Sequence, residues 1–204
     1  METQKIALFG AETKAGRSIL KEALNRGHKI TAITLNPEKV QVTHPNLKVI
    51  EGDIINKNDI GSKIKGHDTV ISVYTVKSDP SEHVRNIRNL IEAVNKDNIR
   101  QLIVTGHPGT SEPGVGVPLP ANAEGWNAIA EAQRKTLETM ENEKNFRWGY
   151  VHHPGIEKAA SGKLPLSDKI LVKCTESEQW VSVKDYAPAV LNEVEHFTEA
   201  HTEL

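Results

Sequence analysis

The sequence predicts an α/β domain with a doubly wound, mostly parallel sheet of about six strands. Three observations predict it. Short apolar runs alternate with segments of helical periodicity from the first residues onward, the pattern of a parallel sheet with crossover helices. Hydrophobic residues make up 37% of the 204 positions but aromatics only 4%, so the core is aliphatic, as in a sheet covered on both faces. A glycine-bounded turn, Gly10 to Gly16, stands directly between the first apolar run and the first helical segment.

Taken in order, residues 5–9 form a buried strand that stops at Gly10, and residues 16–26 a helix with Ile19, Leu20, Ala23 and Leu24 on one face, ended by Gly27. Strands follow at 29–34 and 47–51, a short helix at 58–65 closed by Gly66, and a fourth strand at 69–73. The span 80–96 carries Val84, Ile87, Leu90, Ile91 and Val94 at helical spacing. A fifth strand covers 101–105. Residues 111–124, rich in proline and glycine, form a long loop, and its length favours a lid over the crevice above a plain crossover. Trp126, at the start of the next helix, 125–143, reads as a helix-face residue before a stacking ring. The sixth strand is 147–152. Beyond Pro154 the pattern weakens to two small strands, 170–173 and 179–183, and a helix at 185–196. No repeat or linker divides the chain, so residues 1–204 read as one domain with about 154–204 as a small C-terminal cap.

Charge is nearly balanced, 25 basic against 27 acidic residues, which argues against a nucleic-acid partner. The first apolar run is too short for a signal peptide or membrane span, so a soluble, cytoplasmic chain without a membrane partner, monomeric or homodimeric, is the expectation. The lone Cys174 reads as an inert thiol, because no base accompanies it. His152 and His153, as strand neighbours, point to opposite faces, and no metal site is expected.

The turn Phe9-Gly10-Ala11-Glu12-Thr13-Lys14-Ala15-Gly16-Arg17 is the sharpest feature. In a Rossmann-type fold this position offers backbone N–H groups and a helix dipole to a pyrophosphate. Gly10 permits the tight turn and Gly16 lets the helix pack on the strand, whereas Thr13 stands where a glycine would let the phosphates approach. Glu12 adds negative charge and Lys14 and Arg17 positive charge. After the second strand, Thr34-Leu35-Asn36 supplies neither the acid of an NAD site nor the arginine of an NADP site; Lys14, Arg17 and Lys39 are candidates for a 2′-phosphate.

This turn, with Asn36-Pro37-Glu38-Lys39, the run Asn46 to Asp53 and the run Lys65 to Ser72, resembles the NAD(P)H-binding family of atypical short-chain dehydrogenases. It is most similar to the NADH-flavin reductases, with biliverdin reductase B and NmrA-like proteins further off. The resemblance implies a reductase using NAD or NADP and a flavin, quinone or similar planar acceptor. It places Gly10, Thr13 and Gly16 on the pyrophosphate loop, Asp53 at the adenine, and Leu35 where NADP-dependent relatives carry arginine. Val73 and Tyr74 border the cofactor, Thr110 falls near the substrate, and His152, His153 and Pro154 lie beside the nicotinamide. The full set of candidate cofactor contacts is Gly10, Glu12, Thr13, Lys14, Ala15, Gly16, Arg17, Leu35, Asn36, Lys39, Asp53, Ile54, Val73, Tyr74, Thr105 and Gly106.

The Tyr-x-x-x-Lys pair of ordinary short-chain dehydrogenases is absent: Pro154 stands four residues after Tyr150, and Val190 four after Tyr186. Candidate catalytic residues are instead His107, His152, His153 and Thr110, at or near the ends of the fifth and sixth strands, where a histidine can donate a proton to a reduced acceptor. Thr13, Leu35 and Tyr74 depart from the family pattern at cofactor positions. They motivate two alternatives: an NmrA-like regulatory nucleotide binder without turnover, and a cofactor-independent enzyme using a crevice histidine.

Overall fold

A computed structural model of the chain describes residues 2–73, 80–106, 123–152, 169–174, 178–182 and 185–199. Its strands are β1 (Lys5–Phe9), β2 (Lys29–Thr34), β3 (Leu47–Glu51), β4 (Thr69–Ser72), β5 (Gln101–Gly106), β6 (Arg147–His152), β7 (Lys169–Cys174) and β8 (Glu178–Ser182). They form one sheet in the order β3-β2-β1-β4-β5-β6-β7-β8. The first six pair in parallel, and β7 and β8 add to the edge antiparallel. The order reverses between β1 and β4, which opens a crevice there at the carboxyl ends of the strands.

The parallel strands are apolar runs because both faces are covered. On one face, α1 (Lys14–Asn25) and α5 (Tyr186–Glu199) close over Ile6, Leu8, Ile71, Ile103 and Val151. On the other, α2 (Lys57–Ile64), α3 (Pro80–Lys96) and α4 (Ala123–Glu141) close over Ala7, Phe9, Ile33, Val70 and Tyr150. The stretch expected to cap the sheet is, in its described residues, part of it: β7 and β8 widen the sheet and α5 packs along α1. A short antiparallel pair on an edge is hard to tell from a cap by pattern alone, since only a few residues carry the alternation. Helix starts also move: α1 begins at Lys14 behind a Thr13 cap and α2 at Lys57 behind an Asn56 cap, both one turn or less before the apolar stripe declares itself.

The amino end of the sheet is tied to α5 by buried side chains. Gln4 Nε2 donates to the Val194 carbonyl at 2.8 Å and Gln101 Nε2 to the Glu193 carbonyl at 2.7 Å. Thr69 Oγ1 lies 2.8 Å from Gln4 Oε1 and 3.2 Å from Gln101 Oε1, joining the two amides. The buried His28 accepts the Gln4 backbone N–H at Nδ1, so its neutral ring carries the proton on Nε2, which faces Glu195 at 3.1 Å. Glu195 also holds Arg26 at 2.6 Å, next to the end of α1. Among the described residues no helix is long and apolar enough to cross a membrane.

Replacing Gln101 by leucine removes one of the two amide grips and leaves a buried helix carbonyl with one hydrogen bond fewer. We expect Gln101→Leu to lower stability by about 2 kcal/mol, read as a drop in the urea midpoint at unchanged slope.

Candidate active site

Two glycines bring β1, β4 and α1 to one point. Gly10 has φ +79°, and a Cβ there would overlap the Val73 carbonyl oxygen. A Cβ on Gly16 would overlap the Gly10 carbonyl oxygen. The Val73 N–H in turn donates to the Phe9 carbonyl at 3.0 Å, extending the β1–β4 ladder by one bond. Any larger residue at either glycine pushes the helix start away from the sheet.

Thr13 is the N-cap of α1. Its hydroxyl accepts the Gly16 N–H at 2.9 Å and donates to the Gly10 carbonyl at 2.8 Å. The residue that looks like a departure from a glycine motif therefore serves as a cap, turned inward across the loop. It takes up one of the free amides of the first turn. Among the described residues, nothing accepts the N–H groups of Glu12, Lys14 or Ala15. Lys14 and Arg17 are exposed, and neither enters an ion pair with a described residue. Amides and two cations without partners among the described residues, at the positive end of the helix dipole, have the chemistry to receive an anion. Glu12 opposes them: its Oε2 is buried and has no hydrogen-bond partner among the described residues.

Of the other predicted positions, those that follow β2 and β3 stand at the carboxyl ends of the strands. Leu35, 56% exposed, stands past the end of β2, and the Asn36 N–H is held by Thr34 Oγ1 at 3.1 Å. Lys39, exposed, ends a 3-10 turn. Asp53 Oδ1 accepts the Ile55 N–H at 2.9 Å, and its own N–H donates to Asp59 Oδ2 at 3.1 Å, so it shapes the turn into α2 while Ile54 is buried below. Ala15 is buried against the core, and Val73 is buried beneath Gly10. Thr105 is buried on the α1–α5 face beside Tyr186, away from α3 and α4; burial drives the Tyr186 phenol well above its ordinary pKa. Gly106 pairs with His152 at the last rung between β5 and β6. Tyr74, His107, Thr110 and His153 lie outside the described residues, as does most of the 111–124 loop.

The periodicity of α3 concealed a polar set. His83 and Asn86 are fully buried on the stripe that continues as Ile87, Leu90 and Val94. They sit in the first turns of α3, above a cross-strand row of Phe9, Ser72, Val104 and Tyr150 on the same sheet face. Ser72 Oγ and both side-chain amide atoms of Asn86 are buried without a hydrogen-bond partner among the described residues. Burial lowers the His83 pKa from 6.5 to about 4, so the ring stays neutral in the folded protein near neutral pH. In the sequence the only signal was two polar residues at stripe positions.

With the geometry in place, comparisons with known proteins are informative. The model of a family described as NAD(P)H-binding matches residues 10–196. The uncharacterised protein YwnB of Bacillus subtilis is 29% identical over 203 residues, covering 94% of this chain and 92% of that one. A candidate epimerase of Bacteroides thetaiotaomicron superposes with a TM-score of 0.72 at 27% identity, over 96% of this chain and 92% of its own. A candidate NADH-flavin reductase of Streptococcus pneumoniae gives 0.64 at 24% identity, over 95% and 93%.

Two stability predictions follow from these side chains. Thr13→Ala should lower stability by about 1 kcal/mol while Thr13→Ser keeps it, measured by chemical denaturation. His83 binds a proton in the unfolded chain below pH 6.5 but in the fold only below about 4. Stability should therefore fall as pH falls through this window, with His83 contributing up to about 3 kcal/mol of the loss. A His83→Gln variant should show a shallower decline between pH 7 and pH 4.5 in urea midpoints; an identical decline would exclude the assignment.

Proposed function

The chain belongs to the NAD(P)H-binding family, and from that premise we propose that it is a reductase that passes hydride from NADH or NADPH to a flavin, quinone or similar planar acceptor in the β1–β4 crevice. The observation that carries the reading is the start of α1: the Glu12, Lys14 and Ala15 amides without a described acceptor, two glycines whose Cβ atoms would displace the helix, and two cations without an ion-pair partner among the described residues. These residues fit a pyrophosphate. The reduced nicotinamide supplies the hydride when bound. The chain's own part is to hold the two rings in contact and keep water away, which needs no tyrosine base.

Loop amides and the helix dipole would grip the diphosphate, with Lys14 and Arg17 screening its charge. Asp53 and Ile54 would border the adenine, and Leu35, Asn36 and Lys39 the adenosine ribose. His152, on the last rung of β6, and His107, His153 and Thr110, which follow β5 and β6 in the chain, would be the groups to deliver a proton to the reduced acceptor. The flavin-reductase name of the S. pneumoniae protein agrees with this acceptor class, though at 24% identity the likeness speaks for the fold alone. The B. thetaiotaomicron protein carries the name of a different reaction on the same fold. The acceptor class therefore rests on the sequence: the missing tyrosine–lysine pair, and the histidines at 107, 152 and 153 that end or follow the fifth and sixth strands. Glu12 supports a second reading, a dinucleotide binder without turnover, because a buried carboxylate oxygen at the phosphate loop weakens the grip on a dianion.

Fluorescence titration with NADH and NADPH distinguishes these. Saturable binding of one or both below about 1 mM is expected, lost in Gly16→Val and tightened severalfold in Glu12→Gln. Steady oxidation of the bound cofactor on adding flavin mononucleotide or a soluble quinone supports the reductase. Binding without oxidation by any planar acceptor supports the regulatory reading. No binding of either nucleotide at millimolar concentration removes both.

A further inference from the structure

A second rim of the sheet carries an unassigned groove. At the amino ends of β1, β2 and β3, Lys5, Lys29, Lys48, Thr31, Asn46 and His67 line a cavity of about 270 Å³, on the opposite side of the sheet from the crevice. Strand register puts the three lysines on one face. Ala7 and Phe9, Ile33, and Ile50 belong to the core beneath α2 and α3, so Lys5, Lys29 and Lys48, at even offsets from them, project on that same side. Lys5 is directly paired with Lys29, and Lys48 with Thr31.

Like charges on neighbouring strands, about 4.8 Å apart, repel. An isolated surface lysine relieves such repulsion through a nearby carboxylate, but here no described residue forms an ion pair with any of the three. Asp68 is close enough to have done so. Its Oδ2 instead accepts the Lys5 backbone N–H at 2.8 Å and its Oδ1 holds Arg100 at 2.6 Å. The wall of the groove is fixed. Gly66, with φ +78°, turns the chain out of α2, and His67 then bonds the Ile64 carbonyl through Nδ1 at 2.8 Å and Thr31 Oγ1 through Nε2 at 2.8 Å. Asn46 is likewise anchored, its Nδ2 donating to the Gly27 carbonyl at 3.2 Å.

We propose that this groove binds a compact multivalent oxyanion of the diphosphate class, held by the ammonium groups of Lys5, Lys29 and Lys48. Three convergent cations without carboxylate partners, over a rigid floor, provide charge and shape for a dianion or trianion, and a singly charged ion would neutralise them only in part. The site is separate from the proposed cofactor loop and stands or falls independently of it.

The test is calorimetric titration of the full chain with sodium pyrophosphate at constant ionic strength, with sodium chloride as the control. In the Lys14→Gln/Arg17→Gln variant, where the cofactor loop that also fits a pyrophosphate is weakened, one saturable site with Kd at or below about 1 mM is expected. The double variant Lys29→Gln/Lys48→Gln should weaken it at least about tenfold while moving NADH affinity less than about twofold. The variant Lys14→Gln/Arg17→Gln, at the other rim, should leave pyrophosphate binding intact. All four substitutions are at exposed positions, so folding is preserved and checked by circular dichroism. The proposal is overturned by the absence of saturable heat up to about 10 mM pyrophosphate. It is equally overturned if the Lys14/Arg17 variant rather than the Lys29/Lys48 variant abolishes binding. Tighter binding of polyuridylate than of pyrophosphate, lost in the Lys29/Lys48 variant, would make this a nucleic-acid surface and also reject the proposal.

Discussion

The close approach of three backbone segments at Gly10 governs the rest of the architecture. The end of β1, the first turn of α1 and the residue after β4 meet where neither Gly10 nor Gly16 has room for a single methyl group. That contact sets the start of α1 directly over the point at which strand order reverses. Packing and electrostatics are thus the same constraint: the dipole and free N–H groups are aimed by a steric fit.

The two rims of the sheet are built by different means. At the carboxyl rim, backbone groups do the presenting, and side chains such as Thr13 and Asp53 serve to shape turns. At the amino rim, side chains dominate. Gln4, Gln101, Thr69, His28 and Glu195 form a buried network that pins α5, and beside it the lysines of β1, β2 and β3 project into a groove. A near-zero net charge conceals this division. Acidic residues outnumber basic ones along the chain, yet the groove is lined by three lysines and no acidic residue, with Asp68 shared between Arg100 and the Lys5 backbone N–H.

Much of the fold was legible because strands buried on both faces leave continuous apolar runs, as in Ile6–Phe9 of β1, Val70–Ile71 of β4 and Leu102–Val104 of β5. The glycine turn was legible for a related reason: only glycine tolerates the contacts at positions 10 and 16. Less was legible where one residue can serve two physical roles. Thr13 read as an obstacle to phosphate, but as a cap it stabilises the very turn that presents the amides. Thr105 read as a rim residue, yet strand alternation points it at Tyr186 under α5. His83 and Asn86 were hidden because the helical period assigns a face and does not say that a face is entirely apolar. The lysine groove could not be found from spacing at all, since Lys5, Lys29 and Lys48 come together only through the register of three strands.

These assignments change what the unusual loop residues mean. With Thr13 accounted for as a cap, and Leu35 at an exposed position past β2, the feature that sets this loop apart is Glu12. A carboxylate oxygen buried without a donor is costly, and the fold tolerates it here beside three free amides, a helix N-terminus and two cations that lower the local energy of negative charge. The same features that would welcome a diphosphate thus stabilise Glu12 in its absence. On the proposed function a bound diphosphate would meet the Glu12 charge at the same helix start, so affinity at this loop would depend on how far the Glu12 side chain can withdraw. That repulsion would weaken the hold on dinucleotide relative to a neutral residue at position 12 without any change in the backbone that presents the site.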